Sequence, residues 1–130
     1  MTRREAREEA FILIFEKQFN LADTNEILEI AAEVRDLKPN SYIKTVFNGV
    51  YENIKSIDSV ISENAIGWKI GRISKVSLCI LRLAIFEIKY MEDIPVSVSI
   101  NEAVELAKKY ATKDDASFIN GILSAVEKKS

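Results

Sequence analysis

Three arginines, Arg3, Arg4 and Arg7, open this chain within the run R-R-E-A-R-E-E-A-F, interleaved with Glu5, Glu8 and Glu9. On a helix turning about 100° per residue, the arginines share an arc roughly 100° wide and the glutamates fall on another side. Guanidinium groups hold phosphate in bidentate fashion, and a helix N-terminus adds positive partial charge, so this stripe has the chemistry to grip a nucleic-acid backbone. The competing reading is a solvated, salt-bridged helix start with Arg4 and Glu8 paired at i, i+4. Further along, Ala10, Phe11 and Ile14 occupy the same arc, so the arginine turn is expected to project beyond the core.

A second group lies near the other end of the chain. Phe118 falls at the margin of an apolar helical arc, with Asp114 one turn before it and Gly121 just after. Single-stranded RNA is recognised by stacking of unpaired bases on aromatic side chains together with hydrogen bonds to base edges, which makes Asp114 and Phe118 RNA-side candidates. The alternative for Phe118 is an ordinary core residue. Gly121 inside a helix costs roughly 1 kcal/mol relative to alanine, which points first to close helix packing and second to ligand approach.

Catalytic chemistry finds little to work with. The chain has no histidine, which removes the commonest general base and metal ligand at neutral pH. A P-loop, a dinucleotide-binding glycine fingerprint and a Cys-x-x-Cys pair are all missing from the sequence. The adjacent pairs Asp114-Asp115 and Glu8-Glu9 point about 100° apart on a helix and read as cap and surface charge. A non-enzymatic protein without cofactor or metal is expected. Cys79, the only cysteine, sits in an apolar run and reads as a buried, inert thiol.

The net charge is −2, so any anionic partner must be held by a local cluster. That charge is uneven: residues 1–65 carry 8 basic and 12 acidic side chains, residues 66–130 carry 10 and 8. With 48% apolar and 29% charged residues, composition is that of a globular protein, and no stretch reaches the roughly 18 apolar residues of a membrane span. The N-terminus lacks the apolar run of a secretory leader, so a cytoplasmic location is expected.

The elements that must position these residues are helices. There are 4 glycines and 2 prolines, and apolar residues recur at three- and four-residue spacing almost throughout, predicting an all-α fold in a single domain. Helices are expected over about 3–19 and over 24–37, the latter opened by an Asp23/Glu26 capping box and stopped by Pro39. A third is expected after Asn40, with Ile43, Val46, Phe47, Val50, Ile54, Ile57 and Ile61 as one stripe over five turns. A turn-rich joint around Gly67 and Gly71 follows. The fourth helix, about 74–91, is apolar nearly all round: only Ser77, Arg82 and Glu87 are strongly polar between Val76 and Ile88. It reads as a central core helix or as one offering a second face to a partner. The last two are expected over about 99–110, opened by a Ser99/Glu102 capping box, and about 115–128, restarted by Thr112 to Asp115. Val46-Phe47-Asn48-Gly49-Val50 is faintly echoed by Phe118-Ile119-Asn120-Gly121-Ile122, as two similar bundles would produce.

Three blocks, in order, resemble the NusB family of bacterial transcription antitermination factors. They are Arg3-Arg4-Glu5-Ala6-Arg7-Glu8 through Phe15, then Trp68 through Glu87 with its I-L-R-L-A-I-F-E end, then Ile94-Pro95 through Leu123, which includes I-N-E-A-V-E-L-A-K-K-Y and F-I-N-G-I-L. The length resembles that of the stand-alone family member rather than the related domain of ribosomal RNA cytosine methyltransferases. The resemblance implies two packed helical bundles of six to seven helices in all, divided at about residues 1–65 and 66–130. It also implies pairing with the ribosomal protein NusE, binding of single-stranded boxA RNA in ribosomal RNA transcripts, and membership of an RNA polymerase antitermination complex. By matching position, Arg3, Arg4 and Arg7 would contact RNA phosphates, Asp114 and Phe118 would lie on the RNA side, and Phe15, Ser77 and Arg82 would lie toward the protein partner. The family often carries an acidic residue where this chain has Ser77. A weakly charged adaptor with one arginine stripe is expected to bind RNA feebly alone and better beside a basic partner. The competing class is a helical protein–protein module, or a homodimer, that never touches RNA.

Overall fold

Five of the seven α-helices described begin where a side chain satisfies an orphan backbone N–H. In the computed structural model, which describes residues 1–129, Thr2 Oγ1 accepts from Glu5 N–H at 3.1 Å and Glu5 Oε1 accepts from Thr2 N–H at 2.9 Å, opening α1 (Arg3–Lys17) with a full capping box. Asp23 caps α2 (Thr24–Val34) through Glu26 N–H, without the return bond of the expected box. Asn40 caps α3 (Ser41–Glu52), which is followed by α4 (Ile54–Asn64). A turn and one 3₁₀ turn (Ile70–Arg72) lead to α5 (Lys75–Tyr90), capped by Ser74. Then come α6 (Val96–Tyr110) and α7 (Lys113–Lys128), the latter opened by a Thr112/Asp115 capping box. Among the described residues the fold is all α, with no strand.

Three expected boundaries move, each for a visible reason. The long third helix is two: Asn53 leaves helical geometry (φ −114°, ψ 20°) and its Nδ2 donates to Gly49 O at 2.8 Å, closing α3 with a side chain in place of the next turn. Ile57 and Ile61 remain in the core, which is why the stripe reads as unbroken. The second helix stops three residues early, because Asp36 adopts the left-handed φ of 51° just past Arg35 and Leu37 N–H turns back to Ala31 O at 3.4 Å. The sixth begins at Val96 behind Pro95, so the strand-like Val96-Ser97-Val98-Ser99 is its first turn. Ser99 and Glu102 are therefore not a cap. Both are buried and serve the core instead.

The core is one apolar cluster drawing on all seven helices. At its centre lies α5, buried over Ser77–Leu81 and Leu83–Glu87 and packed against α1, α3, α4, α6 and α7. Full burial of each such Leu or Ile contributes roughly 1.5–3 kcal/mol. Gly49 permits the α3–α5 approach, since a Cβ there would meet Phe86 Cε1 at 2.2 Å. Cys79 is fully buried as expected; burial pushes its thiol pKa up to about 12, and Gln18 Nε2 donates to its sulfur.

Candidate nucleic-acid interface

Because α5 runs for 16 residues through the core, its two ends present two different sites. Near its C-terminal end Glu87 is fully buried and accepts from Arg7 Nε at 2.8 Å and Nη2 at 3.4 Å, from Ser99 Oγ at 2.7 Å, and from the Tyr42 hydroxyl. Arg7 also donates Nη1 to Glu102 at 3.2 Å. Four helices, α1, α3, α5 and α6, thus meet at one ionic cluster, and burial beside the Glu87 charge raises the Tyr42 pKa so that the phenol stays a donor.

The expectation of three projecting arginines is corrected at Arg7. Its side chain is 4% exposed, because the α1 arc that carries it turns straight into the apolar face and Glu87 supplies a buried counter-charge. Arg4 does reach solvent, with 69% of its side chain exposed, yet its fork is held by Glu102 through Nε–Oε1 at 3.0 Å and Nη2–Oε2 at 2.7 Å. Arg3 is exposed and stacks over the Tyr42 ring, 4.6 Å to the centroid. The suggested Arg4–Glu8 pair gives way to longer-range partners: Glu8 takes Lys109 at 2.6 Å and the Tyr110 hydroxyl. An open cleft of about 420 Å³ beside this cluster is lined by Arg4, Arg7, Lys108 and Lys109 together with Glu8, Glu102 and Glu105. Its cations already have carboxylate partners.

The N-terminal end of α5 is different. Phe118 is half-buried and meets Trp68 edge-on, with centroids 5.6 Å apart. Asp114, exposed in the first turn of α7, and Ser77 join them around a pocket of about 180 Å³. The structure therefore brings Asp114 and Phe118 together but leaves the arginines at the far end: Ser77 and Glu87 lie roughly 15 Å apart along α5. Gly121 is exposed with open space where a Cβ would go, so helix packing is not what places a glycine there.

Of the residues expected on a protein-partner side, Phe15 is half-buried between Phe11 and Phe19, and Phe19 is 61% exposed beneath the Lys75 ammonium at 4.7 Å. Arg82 is mostly buried and forms a bidentate pair with Asp58 at 2.9 Å, tying α5 to α4. Ser77 shares the pocket of Phe118. Sequence reasoning missed Trp68 and Phe19 as surface aromatics: Phe19 continues the four-residue spacing of Phe11 and Phe15 just past the end of α1, and Trp68 stands beside Gly67 in the turn between helices.

Comparison with known proteins decides the family. Residues 4–128 match the NusB family over nearly the whole chain. The chain belongs to the NusB family. The transcription antitermination protein NusB of Ruminiclostridium cellulolyticum is 46% identical over 130 residues, spanning 98% of this chain and 90% of its own. That of Clostridium novyi is 43% identical, spanning 95% and 96%. Among solved structures, NusB of T. maritima superposes with TM-score 0.85 at 34% identity, covering 99% of this chain and 92% of that one. NusB in a crystal structure of the antitermination factors NusB and NusE with dsRNA superposes with TM-score 0.86 at 27% identity, each chain covered in full. Like its relatives, this is a NusB-family antitermination factor, and the family resemblance seen in its three sequence blocks extends through the helices between them. No helix among the described residues is long and apolar enough to cross a membrane.

Proposed function

We propose that this protein is a non-enzymatic, cytoplasmic adaptor that pairs with a NusE-type ribosomal protein, binds single-stranded boxA RNA of ribosomal RNA transcripts, and joins the antitermination complex on RNA polymerase. The observation that carries this reading is the end-to-end match of the fold to the NusB of a NusB–NusE–RNA assembly. The electrostatics supply the mechanism. Arg3 and Arg4 reach the surface and contact phosphates, whereas Arg7 acts from below by fixing the α1 turn that carries them. Phosphate affinity grows with the number of charges neutralised, and Arg4, Lys108 and Lys109 around the cleft are already matched to carboxylates, so the protein alone binds RNA weakly and a basic partner completes the surface. Phe15, Phe19 and Lys75 offer that partner an aromatic edge with one positive charge.

The test is titration of fluorescent boxA-type RNA with this protein, with the small-subunit ribosomal partner, and with both. The mixture is expected to bind at least about tenfold tighter than either component, and Arg3→Ala/Arg4→Ala to flatten the salt slope by about 0.7 for each phosphate that is no longer neutralised. No gain in the mixture would overturn the adaptor reading and favour a protein-only module. The exposed Phe19 edge suits a homodimer equally, and sedimentation at several concentrations separates the two.

A further inference from the structure

Two buried side-chain atoms among the described residues, Asn64 Oδ1 and Ser77 Oγ, have no hydrogen-bond partner, and of these two residues Ser77 lines the pocket at the start of α5. Ser77 is 1% exposed, while the other buried serine, Ser99, is spent on Glu87. Buried hydroxyls are normally paired, so an unmet one beside a cavity marks a place where a ligand completes the bonding. Here the cavity is the pocket of about 180 Å³ at the first turn of α5, walled by Trp68, Arg72, Ser74, Ser77, Asp114 and Phe118. Its chemistry is mixed in a specific way. Two aromatic rings meet edge-on, leaving much of the 54%-exposed Trp68 open for stacking. Asp114 can only accept a hydrogen bond, Arg72 can only donate, and the Ser77 hydroxyl can do either.

We infer that this pocket is the subsite for one unpaired nucleobase, and that Trp68, Arg72 and Ser77 belong to the RNA-binding set. A bare phosphate would face the Asp114 carboxylate, and an aliphatic side chain would leave the hydroxyl unmet. A base presents a flat face to the aromatics and both donors and acceptors on its edge. This assignment moves Ser77 from the protein-partner side, where family resemblance puts it, to the RNA side. It rests on the RNA-binding reading above.

Trp68 is the only tryptophan of the chain, so its fluorescence reports on the pocket directly. The full chain, with a tryptophan-free ribosomal partner, is titrated with a single-stranded boxA-type oligonucleotide and with copies carrying one abasic site at successive positions. Wild type, Ser77→Ala and Arg3→Ala/Arg4→Ala are compared. RNA is expected to quench Trp68, and one abasic position to abolish the quench and weaken binding about tenfold. Ser77→Ala is expected to weaken binding about threefold to tenfold, to lose its sensitivity at that same position, and to pair with the ribosomal protein as wild type does. The arginine variant binds less tightly but keeps the positional profile. If Ser77→Ala leaves affinity and profile unchanged, or loses only protein pairing, the pocket assignment falls while the RNA reading stands. If wild type with its partner binds no RNA, both fall together.

Discussion

The two ends of α5 treat polarity in opposite ways. At the C-terminal end, Glu87 takes four hydrogen bonds from Arg7, Tyr42 and Ser99, and Glu102 serves both Arg4 and Arg7. At the N-terminal end, the Ser77 hydroxyl takes and gives none. When the chain folds, Arg4 and Arg7 are taken up by Glu87 and Glu102, so much of the charge that looks free at the start of the sequence is spent, while bonding capacity is left open at an ordinary serine. The sharpest way to break this contrast is to truncate each end. Glu87→Ala leaves the buried Arg7 guanidinium with Glu102 alone, strips the Tyr42 and Ser99 hydroxyls of their acceptor, and is expected to cost about 3–5 kcal/mol in urea unfolding. Ser77→Ala removes a polar atom that bonds to nothing and is expected to be neutral or slightly stabilising. Equal losses at the two sites would refute the contrast.

The same opposition shows in two glycines that the sequence presents as echoes of each other. Gly49 is pressed against Phe86, one residue from Glu87, and Gly49→Ala forces that ring out of place, at an expected cost of about 1–3 kcal/mol. Gly121, on the helix whose first turn forms the pocket, has open space around it, so Gly121→Ala is expected to gain roughly 0.5–1 kcal/mol. Thermal unfolding of the two variants checks both signs. If Gly121→Ala lowers RNA affinity while raising stability, the open end extends along α7.

Helix content was legible because periodicity survives wherever one face is buried: α5 and α7 lie within two residues of their expected limits. What misled was local spacing read without tertiary partners. Ser99 and Glu102 have capping-box spacing, but the same three-residue interval puts both side chains on one face of a helix already under way, where Glu87, Arg4 and Arg7 claim them. Asn53 ends α3 with a side-chain bond that leaves the apolar stripe intact, so no break shows in the pattern. Arg4 and Arg7 both find carboxylates 80 or more residues away, and what sets Arg7 apart is the fully buried Glu87, a partner that nothing local to α1 announces. The pocket was half legible: Asp114 and Phe118 sit one helical turn apart, whereas Trp68 and Ser77 join them only through the packing of the 65–73 turn and α5 against α7.

The smallest expected effect concerns Glu102, which links the buried cluster to the exposed Arg4. Hydrogen bonds from Arg4, aided by the charges of Arg4 and Arg7, hold its carboxyl below the usual range. In the unfolded chain that carboxyl takes up a proton near pH 4.3, before the folded one does. The stability it contributes is therefore full above about pH 5 and is lost as pH falls through the depressed value. Glu102→Gln should flatten the acid limb of the stability curve, leaving the share due to Glu5 and Glu8, which are likewise held low by Thr2 and by Lys109 with Tyr110. Because Arg4 is largely solvated, screening keeps this effect well below that of Glu87→Ala. The same variant releases the Arg4 fork at the surface, so RNA affinity should rise as acid sensitivity falls. A variant that loses acid sensitivity without gaining affinity would show that Glu102 orients Arg4 for phosphate instead of competing with it.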